Sequence, residues 1–277
     1  MQPDPAFTGL PSEFWAYVRA VSEAFGYSER GADCVKRPNE GDVLSCLRAI
    51  SLASDPLNEE LRGGTYLRTL VEYLHYRAEA LNTHARPAFM NREEARAEFR
   101  RLKKALKPKC NIPMNKQKGP KRHEAYLTSM VNMLTEATLS SCEFDQDPRG
   151  LVTVRNEGRL LCTLARRVDG AYPTTNNPTA IWEIKEYYGT TTFGSRVADG
   201  IYETMLDGYE LAQVRQQHGK HILHYLIVDD RFTWWECGRS YLCRIVDMLH
   251  AGLLDEAIFG RELILRWPEI VDTWTRV

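Results

Sequence analysis

Three side chains in the second half of the sequence have the types and spacing to do chemistry together: Asp169, Glu183 and Lys185. Ala180 to Tyr188 reads as a β-strand. Its alternation puts Ile181, Glu183, Lys185 and Tyr187 on one face and Trp182, Ile184, Glu186 and Tyr188 on the other. Glu183 and Lys185 are then same-face neighbours, about 6 to 7 Å apart. Asp169 ends the run Leu160 to Val168, fourteen residues before Glu183, and Tyr172 to Thr179, rich in Pro, Asn and Thr, is a loop that folds one strand back beside the other. Two carboxylates and an amine are thereby expected at one point of a sheet. Phosphodiester hydrolysis uses such a group. Carboxylates hold a hard cation through oxygen ligands, and the cation neutralises phosphate and acidifies its bound water. A neighbouring lysine orients or deprotonates that water.

The elements that must position these residues follow from periodicity. Ser12 to Gly26, Asp42 to Leu52, Thr65 to Leu81 and Glu93 to Leu106 have helical spacing. Lys107 to Pro120 contains three prolines and cannot continue a helix, so it reads as a hinge. Lys121 to Leu139 reads as a further helix. Short β-rich runs follow at Leu151 to Arg155, Leu160 to Val168, Ala180 to Tyr188 and His221 to Val228. Ser195 to Gln217 is helical in spacing, though weakened by Gly200 and Gly208. Ser240 to Phe259 reads as helix and Glu262 to Arg266 as a possible strand. The order predicts an α/β (α+β) fold, a mixed central β-sheet with helices on both faces behind an N-terminal helical region. Residues 1–108 form the helical region in this division, and 109–277 the domain with the site.

Asp169, followed by Glu183-Ile184-Lys185 in a strand and preceded by a helix beginning near Glu124, resembles the PD-(D/E)xK nuclease superfamily, which includes many type II restriction enzymes. The resemblance covers roughly the second half of the chain; Val168 stands where the motif's name has proline. It implies a restriction-endonuclease-like core and Mg²⁺-dependent hydrolysis of DNA, with Mn²⁺ expected to substitute. Asp169 and Glu183 become metal ligands, the Ile184 carbonyl a third ligand, and Lys185 the assistant of the nucleophilic water. A first-helix Glu is often a further acidic member. On a helical wheel Glu124 borders the apolar face through Leu127 and Val131, while Glu136 falls opposite, so Glu124 is the expected residue. By analogy the chain is a sequence-specific restriction enzyme, a homodimer acting on double-stranded DNA in a bacterial or archaeal cytosol, with the N-terminal part supplying recognition or dimer contacts. The alternatives are a structure-specific repair or recombination nuclease and a non-catalytic DNA-binding protein on the same fold.

The charge pattern agrees with such a partner. Net charge is −1, yet Arg100 to Arg122 holds ten Lys and Arg and no acid. Lys116, Lys118, Lys121 and Arg122 surround a Gly119-Pro120 turn before a helix, where backbone amides also favour phosphate; Arg196 stands at another helix start. These five are the expected DNA contacts. Tyr187, Tyr188, Trp234 and Trp235 read as core, Asp229 and Asp230 as an acidic turn, and His221 and His224 as structural. The seven cysteines form no CxxC pair, which argues for reduced, mostly buried thiols and against a zinc site. No apolar stretch is long enough to span a membrane, and Met1 to Ser12 lacks signal-peptide character.

Overall fold

The computed structural model describes residues 1–29, 31–115, 117, 119, 122–140, 143–189 and 194–276. Three helices open the chain: α1 (Ser12–Phe25), α2 (Glu40–Ala49) and α3 (Tyr66–Glu79), with a minimal hairpin of β1 (Glu60–Leu61) and β2 (Gly64–Thr65) between the last two. The predicted apolar face of α1 is buried, and Phe14, Trp15 and Val18 pack with Leu47, Leu70 and Tyr73 into a core of their own. Gly26, at φ 78°, ends α1 as expected and donates its N–H to the Ser22 carbonyl. α3 runs on through a π-helical turn, Ala80–Ala85, into the short α4 (Arg86–Ala88). The N-terminal bundle is anchored to the rest by a buried polar contact. The Arg77 guanidinium donates to both carboxylate oxygens of Asp247, at 3.0 and 2.9 Å, and to Ser22, while the Tyr73 hydroxyl donates to the same Asp247 at 2.7 Å.

α5 (Arg92–Leu106) is opened by Asn91 and Glu94, whose side chains and backbone amides cap one another reciprocally. The following segment is non-helical where described. α6 spans Tyr126–Leu139 and starts later than the periodicity predicts. The chain before it is held extended: Asn115 donates its amide to the His123 carbonyl, Ala125 donates to Pro113, and Met114 pairs with Glu124.

The central sheet has the order β5-β6-β7-β8: β5 (Gly170–Tyr172), β6 (Ala180–Lys185), β7 (Leu223–Val228) and β8 (Glu256–Phe259). β5 is antiparallel to β6, whereas β6, β7 and β8 are parallel, joined by α7 (Ser195–His218) and α8 (Arg239–His250). A parallel pair needs such a crossover, and the long helices supply it. A separate bulged hairpin, β3 (Thr153–Asn156) with β4 (Arg159–Thr163), precedes the sheet. One sheet face, with Trp182, Ile184, Tyr225, Ile227 and Ile258, packs on α5, α6 and α9 (Leu263–Trp274). The other face carries Leu226, Val228, Ala257 and Phe259 against α7 and α8. The molecule is thus mixed α/β with helices on both faces of a mixed sheet. Among the described residues no helix is long and apolar enough to cross a membrane.

The C-terminal reading is corrected. Helix α8 stops at His250, Gly252 at φ 75° turns the chain, and Glu256–Phe259 pairs with β7 instead of continuing the helix. Glu262 to Arg266 is not a strand. Leu263, Trp267, Ile270, Val271 and Trp274 form the buried stripe of α9, a pattern with helical spacing that outweighs the internal Pro268. The cysteines also differ from expectation: Cys46 and Cys243 are buried, Cys110 and Cys162 half-buried, Cys34 and Cys237 exposed, and Cys142 lies outside the described residues.

One close contact explains a glycine beside the candidate site. A Cβ on Gly170 would lie 2.0 to 2.3 Å from ring atoms of the fully buried Trp182, its cross-strand partner. Gly170→Ala is therefore expected to force the indole aside and cost about 1 to 3 kcal/mol of stability, as overpacking does. Urea unfolding measures this, and an unchanged midpoint with unchanged slope would show that the ring yields freely.

Candidate functional site

Asp169 immediately precedes β5. Gly170 pairs with Trp182, and continuing that antiparallel register by one residue sets Asp169 opposite Glu183, on the same face. The Asp169 carboxylate is held in place, accepting the Ile184 N–H at 2.8 Å. The expected alternation of β6 holds along its whole length. Glu183 and Lys185 face α7, and Trp182 and Ile184 face α6 and α9. One correction concerns Asp169: it stands immediately before the pairing strand β5 rather than ending the run Leu160 to Val168. That run breaks after Thr163, where Ala165 donates its amide to Glu210 of α7 and the chain bends to deliver Arg166 inward.

Glu183 is fully buried, with a cation against each oxygen, though only Oε2 receives a hydrogen bond. Lys185 Nζ stands 2.8 Å from Oε2 and Arg166 Nη1 2.9 Å from Oε1. Arg166 also reaches Asp207 at 2.6 Å and Glu203 at 3.3 Å, and Lys185 reaches Glu203 at 3.3 Å. Glu203 and Asp207 lie one turn apart on α7. The glycines that weaken α7 as an isolated helix are what let it seat here. A Cβ on Gly200 would press on the Lys185 stem at 3.1 Å, and one on Gly208 would meet the Leu253 carbonyl at 2.5 Å.

Four carboxylates share two cations in this pocket, so negative charge is in excess. Burial, and then the Glu183 charge, push Asp169 up to about 6 and Asp207 up to about 7. Burial pushes Glu183 upward too, but Lys185 and Arg166 beside it prevail and hold it below the ordinary carboxylate value. For Lys185 burial favours the neutral amine, yet Glu183 and then Asp169 prevail, and its pKa is raised. Lys185 is accordingly an ammonium at neutral pH. It can donate to a water or a phosphate oxygen but cannot act as a base in this state.

Among the described residues no three His, Cys, Asp or Glu side chains gather in a way that could hold a metal ion by themselves. Two carboxylates are nevertheless enough for Mg²⁺, which keeps several waters and is completed by substrate phosphate. Asp169 and Glu183, with the carbonyl of Ile184 between Glu183 and Lys185, would supply hard oxygen donors, and the excess negative charge is what a dication would relieve. The residues fit such an ion.

The other expected site residues are distributed as follows. Glu124 is not helical, and among the described residues its carboxylate makes no hydrogen bond or ion pair with Asp169, Glu183 or Lys185. The helical-wheel argument for it fails because α6 begins at Tyr126. Arg122 is exposed, with its amide on the Gly119 carbonyl. Arg196 is exposed in the first turn of α7, one turn before the glycine that packs on Lys185. Lys116, Lys118 and Lys121 lie outside the described residues. Their neighbours Asn115, Gln117 and His123 crowd Gly189, four residues beyond Lys185, with atoms 3.1 to 3.3 Å from where its Cβ would be. Asn115, Gln117 and His123 therefore border the end of β6 that carries the site, whereas α5 lies on the opposite sheet face.

Arg166, Glu203 and Asp207 escaped the sequence reading. Only the i, i+4 spacing of two acids on the buried side of α7 could have drawn notice. Glu186 was missed as well. Half-buried, it accepts the Thr128 amide at 3.0 Å and hydroxyl at 2.9 Å, capping α6, whose own N-cap residue Ala125 has no side chain able to do so. Asp229 is structural, accepting the amides of Tyr187 and Tyr188 and the Trp234 indole N–H. Tyr188, Trp234 and Trp235 are core, and His224 is buried with Nδ1 on the Leu253 carbonyl.

The fold and pocket define a mixed-sheet α/β domain with an Asp-Glu-Lys group, its Glu and Lys buried, at the junction of two strands. The chain belongs to the family described as Domain of unknown function (DUF7687), whose model matches residues 90–274. Residues 1–84, the N-terminal helices, match a second, Domain of unknown function (DUF7690). No curated protein matches, and no solved structure does.

Proposed function

We propose that this protein is a divalent-metal-dependent endodeoxyribonuclease on a restriction-endonuclease-like core. The observation that carries the reading is the convergence of Asp169, Glu183 and Lys185 on one sheet face, in a pocket with more carboxylates than cations. Mg²⁺, held by Asp169, Glu183 and the Ile184 carbonyl, would supply charge neutralisation at phosphate and an acidified water. The protein's own groups do the rest. Ile184 N–H fixes the Asp169 carboxylate, and the Lys185 ammonium, carried on a buried stem beside Gly200, orients the attacking water and offsets charge building on the phosphate. Arg122 and Arg196 are the proposed contacts to the DNA backbone, together with Lys116, Lys118 and Lys121 of the basic run. In this reading a homodimer brings together the two centres that cutting both strands requires.

Incubating the purified protein with supercoiled plasmid and Mg²⁺ or Mn²⁺ is expected to give cleavage that EDTA abolishes. Discrete fragments are the expected outcome for a sequence-specific restriction enzyme. Smearing or cuts at branched substrates would instead assign a repair nuclease, and retention of DNA without cutting under either metal would overturn the enzymatic reading.

A further inference from the structure

Arg166 is a cation of the pocket that the Asp-Glu-Lys chemistry does not use. Its guanidinium sits where a cation is wanted. Nη1 is 2.9 Å from Glu183 Oε1 and 2.6 Å from Asp207 Oδ2, and Nη2 is 3.3 Å from Glu203. With Lys185 on Glu183 Oε2, a cation stands against each oxygen of the central carboxylate, the Arg166 contact being an ion pair without a hydrogen bond. A divalent ion at Glu183 must therefore compete with Arg166, because both need the same oxygen and like charges a few ångströms apart repel strongly in a buried site. Arg166 is free to yield. It comes from the bend between β4 and β5 rather than from the sheet, its side chain is 24% exposed while that of Glu183 is 0% exposed, and it has second anchors in Asp207 and Glu203.

We propose that Arg166 is a resident counter-cation of the site, seated on Glu183 in the metal-free protein and displaced from it by the divalent ion, with Asp207 and Glu203 retaining its guanidinium at the pocket rim. Asp207 then has a role that metal ligation alone would not give it. One of its oxygens holds Arg166, and the other is buried without a hydrogen-bond partner, so the carboxylate can take up the guanidinium more fully once Glu183 releases it. Before metal arrives Arg166 offsets part of the pocket's negative charge. After exchange it is a fork-shaped donor of the kind that binds phosphate oxygens. The inference rests on the proposed metal site.

Mn²⁺ binding to the full chain, read by electron paramagnetic resonance of the free ion, tests it without reference to cleavage. Arg166→Met removes the competitor and is expected to bind Mn²⁺ about tenfold more tightly than wild type, while melting lower in EDTA and gaining more from added Mn²⁺. Arg166→Gln keeps a hydrogen-bonding side chain without the charge; it is expected to shift affinity the same way and secures the test if the methionine variant does not fold. Arg166→Lys restores the charge and is expected to return affinity toward wild type. A merely structural arginine would give weaker binding or none when replaced, and that result, or unchanged affinity in both neutral variants, overturns the proposal. Mn²⁺ binding that survives Glu183→Gln would place the ion elsewhere and overturn it too. If neither wild type nor variants bind Mn²⁺, the metal site fails and the exchange with it. If binding tightens as expected but plasmid stays intact, the nuclease reading alone fails.

Discussion

Asp169→Asn is expected to abolish DNA cleavage, by at least about 10³-fold, the scale on which a member of a catalytic unit counts, while leaving the protein as stable as wild type or more so. The substitution is chosen for the backbone contact. Asparagine retains an acceptor for the Ile184 N–H that Asp169 holds at 2.8 Å, so the β5 to β6 junction survives and only the charge is lost. The stability sign follows from linkage. The Asp169 carboxyl titrates near 6 in the folded chain against an ordinary 3.8. Between those values the folded state holds a proton that the unfolded chain has released, so wild type loses stability as pH rises through that window. The asparagine variant escapes that loss. Its melting temperature in EDTA should equal or exceed that of wild type at pH 8, and the advantage should vanish below about pH 4. Cleavage retained by a folded Asp169→Asn would remove Asp169 from the site. A lower melting temperature at pH 8 would show that its charge is compensated better than the four-to-two balance of the pocket implies.

Arg77→Met has the largest expected effect on folding, a loss of about 3 to 5 kcal/mol, the scale for breaking a buried ion pair from one side. Arg77 is 4% exposed, and without it the Asp247 carboxylate is left, among the described residues, with the Tyr73 hydroxyl as its side-chain hydrogen-bond donor. Adding Asp247→Asn removes the stranded charge and keeps an acceptor for Tyr73, so the double variant should regain a sizeable part of the loss. A double-mutant cycle from urea unfolding measures the coupling, and additive losses would mean that the pair is not energetically joined. The contact ties α3 of the segment matching DUF7690 to α8 of the segment matching DUF7687. Loss of a single cooperative transition in Arg77→Met would therefore locate the coupling between the two matched segments in this contact.

Much of the architecture was legible because it depends on period. The helical spacing of Phe14, Trp15, Val18 and Val21, and the strict alternation from Ala180 to Lys185, are properties of neighbouring residues that any partner element must respect. The alternation assigned Glu183 and Lys185 to one face and Glu186 to the other, and each side chain is found there. Where period was ambiguous the reading failed. Glu256-Ala257-Ile258-Phe259 suits either a helix or a buried strand, and only the open edge of β7 makes it a strand. Glu124 was placed on a helix whose first turn is prevented by the pairing of Met114 with Glu124.

By itself the sequence determined which residues could share a face: the pairing of Glu183 with Lys185, and an acid upstream that a turn could bring beside them. Tertiary structure alone decided the charge state of the pocket. Arg166, Glu203 and Asp207 reach Glu183 from a bend and from a helix that are brought to it by crossovers, at separations in sequence that no local pattern encodes. Burial then turns their proximity into shifted protonation, because a carboxylate removed from water depends for its charge on whichever neighbours the fold supplies.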